Sequence, residues 1–189
     1  MEATATVINQ FLDYVSTYPN DVITYRSINM RLVAHYDAAY INFSKACSRA
    51  GAHIFLSKED PKSRHNGPIL TISQIVKFFM SSVAEAELAA LFIISKYMVP
   101  LCQTLVEVKW PQGKPPIQTN NSTVVGVTSN TIVPKRTNSM DMRFHWLRCR
   151  MVQGKFILYW APGTENLGDY STDHQPPLYH LDHRPTYPG

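Results

Sequence analysis

The chain has 189 residues, 44% of them hydrophobic and 17% charged, with a formal net charge of +4. This is the composition of one globular domain with enough core to fold without staples, and it excludes a disordered chain. Three scattered cysteines (Cys47, Cys102, Cys149) make neither a zinc pattern nor an even disulfide set, residues 1–6 lack the start of a secretory signal, and the apolar run Leu88–Ile94 is too short to span a bilayer. The expectation is therefore an intracellular, non-secreted protein without a membrane partner, mildly basic and so compatible with a polyanion without requiring one.

Val7, Phe11, Leu12, Tyr14 and Val15 recur at helical spacing and predict an amphipathic helix over residues 5–17. Tyr18-Pro19-Asn20-Asp21 stops it, and Val22–Tyr25 reads as a short extended piece. Three strands follow. Arg31–Asp37 is expected to end in its acid, with Asn42-Phe43-Ser44-Lys45 as the turn. Arg49–Leu56 contains Gly51, which marks either a bulge or a close backbone approach. A charged stretch then ends in Asn66-Gly67-Pro68, a strong turn signal, ahead of Leu70–Val76. Three strands joined by turns make an antiparallel meander.

A long apolar helix opens at Ser82. Ser82 and Glu85 form a capping box, in which hydroxyl and carboxylate each satisfy an N–H left unpaired at the helix start. Glu87 has no such duty. It heads a stripe with Leu91, Ile94 and Met98, so it either reaches water at the stripe's edge or meets a metal ion or a buried base. Pro100 is expected to bend or end this helix, with Leu101–Val108 as a second segment. Ile117-Gln118-Thr119 is a short strand, and Asn120-Asn121-Ser122 starts a helix. Ser139–Met151 is a basic helix ended by Gly154, Lys155–Trp160 a fifth strand, and Asn166–Tyr170 a last short helix. From Gln175 the chain is rich in Pro, His and Tyr and reads as an extended tail. The order implies an α/β domain: a mixed five-stranded sheet, three strands antiparallel and then parallel ones, with helices packed on it.

Two-metal nucleases place acids at the ends of several elements to hold two ions about 4 Å apart across a scissile phosphate. Here Asp37 falls at the end of the first strand, Glu87 in the first turn of the central helix and Asp169 in the last helix, while Asn120 follows the fourth strand. Each acid also has an ordinary reading, Asp37 as a turn former and Asp169 as a solvated helix residue.

Six stretches in order add a family resemblance. They are His35-Tyr36-Asp37-Ala38-Ala39-Tyr40, Ser44-Lys45-Ala46-Cys47-Ser48-Arg49-Ala50-Gly51, Ser81-Ser82-Val83-Ala84-Glu85-Ala86-Glu87-Leu88, Gln118-Thr119-Asn120-Asn121-Ser122-Thr123, Met140-Asp141-Met142-Arg143-Phe144-His145-Trp146-Leu147-Arg148 and Glu165-Asn166-Leu167-Gly168-Asp169-Tyr170-Ser171-Thr172. Over residues 5–183 the chain resembles the ribonuclease H domain that follows the reverse transcriptase in copia-type retrotransposon polyproteins. The resemblance implies a ribonuclease H fold and cleavage of the RNA strand of RNA–DNA hybrids. It implies two Mg²⁺ (or Mn²⁺) ions on Asp37, Glu87 and Asp169, with Asn120 at the fourth catalytic position. It also implies three parts: residues 1–22 as a remnant joining an upstream reverse transcriptase, 23–173 as the ribonuclease H-like domain and 174–189 as a tail. A cytoplasmic virus-like particle or the nucleus would be its setting.

The departures carry as much as the matches. Asn120 stands where the family carries a catalytic Asp. An amide brings no charge, and losing even ~3–4 kcal/mol of transition-state stabilisation slows a step by about two to three decades. The expectation is a domain that keeps its fold and hybrid affinity but hydrolyses weakly or not at all. Tyr36 replaces a small residue, Cys149 an acid, Asp173 a Lys, and Gly168 an Ala, the last expected to weaken the final helix by ~1 kcal/mol. Lys135, Arg136, Arg143 and Arg148, with Arg150, form either a phosphate-facing edge or a solvated basic face. Trp146, Tyr159 and Trp160 are assigned to the core rather than to a stacking platform. His174, His180 and His183 belong to the tail, with His174 near enough to Asp169 in sequence to shuttle a proton.

Overall fold

The computed structural model describes the chain except for residues 1, 21, 27, 44–46, 59–65, 78–79, 130–141, 173–174, 177, 180 and 182–189. Lys135, Arg136, Asp173, His174, His180, His183 and the turn residues Ser44 and Lys45 therefore lie outside the described residues.

The first helix, α1 (Glu2–Thr17), presents Val7, Ile8, Phe11, Leu12 and Val15 outward, all of them exposed. Three long strands follow: β1 (Arg31–Phe43), β2 (Cys47–Ser57) and β3 (Pro68–Val76). β1 does not end at Asp37 as the sequence predicts. It runs on to Phe43, paired with β2 through Ala39 and again at Phe43, and Ile41 takes a positive φ of 54° where the register shifts. The Val22–Tyr25 piece is extended but outside the sheet, and it braces the Asn66-Gly67-Pro68 turn: Gly67 N–H donates to Thr24 O at 3.1 Å and Tyr25 Oη to Pro68 O at 2.9 Å.

The central helix, α2 (Val83–Glu107), passes through Pro100 without ending, so the expected second segment belongs to one continuous helix. It is long and apolar enough to cross a bilayer by length and composition. Here its buried face, including Ala86, Ala90, Leu91, Ile94 and Met98, lies on β1 and β2 and forms the main core with Leu32, Ala34, Tyr36, Ala52 and Ile54. Ser82 caps α2 by accepting from Glu85 N–H at 3.2 Å. The Glu85 carboxylate reaches one residue further back than a simple capping box, taking Ser81 N–H at 2.7 Å and Ser81 Oγ at 2.9 Å.

β4 (Pro116–Thr119) leads into α3 (Ser122–Thr128), capped by the Asn121 side chain. α4 (Met142–Val152) is stopped at Gly154, whose φ of +68° only glycine adopts without strain, and β5 (Ile157–Trp160) completes the sheet. The sheet order is β3-β2-β1-β4-β5, with β1–β2 and β2–β3 antiparallel and β1–β4 and β4–β5 parallel, as the sequence implies. One element differs in kind. The predicted last helix is two 3-10 turns, Gly163–Glu165 and Asp169–Ser171, the second of them lying against β1, β2 and β3.

Candidate functional site

The parallel strands β1 and β4 pair only at Ala34–Ile117 and His35–Gln118. Just past that pairing, Asp37 in the middle of β1 meets Asn120, the first residue after β4, and Asn120 Nδ2 donates to Asp37 Oδ1 at 3.3 Å. The other Asp37 oxygen, Oδ2, accepts from Thr172 Oγ1 at 2.7 Å. That hydroxyl also lies 2.9 Å from the carbonyl oxygen of Asp169, so it joins the first acid to the backbone of the last. Both oxygens of Asp37 are thus engaged by neutral groups of the protein, and the carboxylate itself is buried.

Glu87 enters from the first turn of α2 and is 3% exposed. The alternative that it reaches water at the edge of the stripe is thereby excluded. Its Oε2 has no hydrogen-bond partner among the described residues. Burial, reinforced by the charges of Asp37 and Asp169, pushes its carboxyl up to about 9. Glu87 is therefore neutral at pH 7, as expected for an acid desolvated beside two others. Next to it, Tyr36 is fully buried in the core, and its phenol is raised well above its ordinary value by burial and by the charge of Glu87.

The turn that delivers Asp169 depends on close backbone contact rather than on helix propensity. A Cβ on Gly168 would lie 2.6 Å from both Cα and C of Tyr36 and 2.8 Å from Asp37 N. The residue expected to be a weakness is thus the one that lets the turn rest on β1. Gly51 resolves as a close approach and not a bulge: a Cβ there would lie 2.6 Å from Thr172 Cγ2 and 2.7 Å from Gly168 O. Asn166 holds the same junction. Its Nδ2 donates to Tyr36 O at 2.8 Å and its Oδ1 accepts from Gly168 N–H at 3.0 Å, both buried. Ser73 Oγ, on β3, donates to Ser171 O at 2.7 Å.

Asp37, Glu87, Asn120 and Asp169 therefore meet beside the middle of β1, just past the end of β4. Sequence reasoning gave no role to Thr172 or Asn166. A Thr three residues past an acid in a tight turn can donate back to that acid's carbonyl, which was the available signal; its second bond, to Asp37 across 135 positions, was not visible. Two of the aromatic assignments differ from expectation. Trp146 packs on Phe92, with ring centroids 5.3 Å apart, but Trp160 is 53% exposed and donates its Nε1–H to Asn120 O at 3.1 Å. Tyr159 is half-buried, with its Oη 3.0 Å from Gln118 Oε1. On α4, Arg148 lies over the Phe144 ring at 5.6 Å and Arg150 over Trp146 at 5.1 Å, while Arg143 is partly buried, which lowers its pKa.

Among solved structures the chain is similar to LC11-RNase H1, isolated from compost by a metagenomic approach. That match has a TM-score of 0.55 and 14% identity, and covers 75% of this chain and 92% of that one. The same enzyme in complex with an RNA/DNA hybrid matches with a TM-score of 0.53 at 14% identity, over 75% of this chain and 93% of that one. This chain has the ribonuclease H-like fold. No protein-family model and no curated protein matches it. At this identity the likeness establishes architecture, so any function for this ribonuclease H-like domain has to be argued from its residues.

Proposed function

We propose that this chain is the ribonuclease H-like domain of a copia-type retroelement polyprotein, binding RNA–DNA hybrids with its hydrolytic centre disabled. The observation that carries the reading is the contact between Asn120 and Asp37. An amide N–H₂ now occupies the carboxylate oxygen that an ion shared by the two positions would need.

The fold family implies two divalent ions, Mg²⁺ or Mn²⁺, and Asp37, Glu87 and Asp169 would have to hold them. The residues present do not fit a two-ion site. Each oxygen of Asp37 already accepts one hydrogen bond, from Thr172 and from Asn120. Glu87 is neutral at pH 7 and would have to give up its proton first. Among the described residues no group of three or more His, Cys, Asp and Glu side chains is placed to hold a metal ion.

Hybrid binding needs none of these charges. It rests on contacts to phosphates and 2′-hydroxyls, is sensitive to salt and is largely independent of sequence. Support comes from the shared fold, from LC11-RNase H1 in complex with an RNA/DNA hybrid, and from the basic helix α4 with Arg143 and Arg148. Lys135 and Arg136, outside the described residues, are proposed as phosphate contacts from the sequence alone. The outward apolar face of α1 suits residues 1–22 as a segment packing toward an upstream reverse transcriptase. The setting would be a cytoplasmic virus-like particle or the nucleus.

The test is cleavage of a labelled RNA–DNA hybrid in Mg²⁺ and in Mn²⁺ beside Asn120→Asp, with hybrid binding measured by anisotropy in EDTA. Binding without cutting by the native chain is expected, with cutting gained by Asn120→Asp if one lost charge is the whole lesion. If neither version cuts, the lesion extends beyond residue 120. Cutting by the native chain as fast as by Asn120→Asp would refute the disabled centre, and absence of binding would leave a decayed fragment.

A further inference from the structure

Trp160 closes β5, in register with Thr119, the residue immediately before Asn120. Its indole N–H is committed to the backbone carbonyl of Asn120 at 3.1 Å, yet the side chain is 53% exposed. Tryptophan is among the side chains most enriched at binding surfaces. With its polar handle used internally, what the ring can offer a ligand is an apolar π-face. The strand backbone on one side and the Asn120 carbonyl on the other hold that face in place, so ordering it on binding costs little entropy. The loop leaving β5 passes beside the same residue: a Cβ on Gly163 would lie 3.5 Å from Asn120 Nδ2. Trp160 thus stands at the lip of the cluster formed by Asp37, Asn120 and Glu87.

The geometry points to Trp160 as a stacking platform for an unpaired nucleotide at the edge of the candidate site. The assignment rests on the hybrid-binding reading above and narrows its ligand. Inside a duplex each base is covered by its neighbours, so a protein aromatic can stack only on a base that is unpaired, terminal or splayed out. The preferred ligand is accordingly an RNA–DNA hybrid with a single-stranded extension or a junction, not a blunt continuous hybrid. The charge-bearing contacts of α4 would hold the duplex part without distinguishing the two.

The structure also supplies a control. Trp110 is 48% exposed and follows the far end of α2. At 1.5 Å per residue it lies about 30 Å from Glu87 along the helix. It has the same chemistry at the wrong place.

The experiment measures binding of blunt and overhanging hybrids by fluorescence anisotropy in EDTA, for the native chain and for Trp160→Ala, Trp160→Phe and Trp110→Ala. Tryptophan emission is followed in parallel, and sedimentation is run for each variant. The native chain is expected to prefer the overhang and to lose tryptophan emission on binding it. Trp160→Ala should weaken overhang binding by about 5- to 150-fold, the range for one stacked base. It should leave blunt binding unchanged within about 2-fold, as expected for a surface substitution off the duplex path. Trp160→Phe should keep part of the preference, and Trp110→Ala all of it. If the native chain binds neither hybrid, the hybrid-binding reading and this one fall together. If it binds but Trp160→Ala matches it on both ligands, or weakens both equally, the platform is refuted while hybrid binding stands. A change in self-association with Trp160→Ala, and no change in the preference for the overhang, would assign the face to a second copy of the chain and overturn the proposal.

Discussion

Replacing Glu87 by Gln tests the central electrostatic feature of the cluster without removing its shape. In the unfolded chain this carboxyl titrates near 4.5; in the folded protein it is raised to about 9 by burial and by the charges of Asp37 and Asp169. The folded state therefore keeps a proton that the unfolded state releases. Because the folded value is the higher one, the stability tied to that proton is fully present below about pH 4.5. It is lost progressively as pH rises toward 9. Between these limits folding takes up one proton, so stability falls by about 1.4 kcal/mol per pH unit. The loss amounts to ~3 kcal/mol at pH 7 relative to a neutral isostere. Gln cannot ionise, so Glu87→Gln removes this slope. Urea unfolding in EDTA at pH 5, 6, 7 and 8 checks it. The native chain and Glu87→Gln should differ little at pH 5 and diverge steadily, with Gln more stable by ~4–5 kcal/mol at pH 8. Parallel stability curves over this range would mean that Glu87 ionises at its ordinary pH, and the account of a neutral buried acid would be wrong.

Other substitutions probe the neighbours. In Asn120→Asp a carboxylate would face Asp37 at about the 3.3 Å that now separates amide and acid. The variant should unfold more easily than the native chain in EDTA and regain ~3 kcal/mol when Mg²⁺ reaches about 100 times its dissociation constant, while the native chain stays indifferent to the ion. Gly168→Ala drives a Cβ against the β1 backbone at Tyr36, which cannot swing aside. A loss of about 2–3 kcal/mol is expected, read as a fall of about 4–12 °C in melting temperature. Asn166→Ala strands the buried carbonyl of Tyr36 and the N–H of Gly168. It should cost ~2–5 kcal/mol in urea unfolding, and Asn166→Asp, which sets a carboxylate oxygen against the Tyr36 carbonyl in a buried site, should cost at least as much at neutral pH.

The sequence by itself determined the parts of this protein that depend on near neighbours along the chain. The Ser82 cap, the α2 core stripe and the Gly154 stop are written within a few residues of where they act, and the mixed sheet, antiparallel and then parallel, followed from the order of strands and helices. The convergence of Asp37, Glu87, Asn120 and Asp169 was legible only because six motifs occur in a known order. No spacing rule brings residues 37 and 169 together. Tertiary structure decided the rest. Glu87 reads equally as an edge residue or a buried one until α2 is laid on β1. Gly168 reads as a poor helix former until a Cβ there is seen to strike Tyr36. Asp169 belongs to a 3-10 turn because three strands constrain its backbone, whatever its neighbours prefer in isolation. Trp160 looked like core by composition and is held at the surface because its N–H has a partner 40 residues away. Each of these turns on contacts between distant segments, where burial and close approach outweigh local propensity by several kcal/mol.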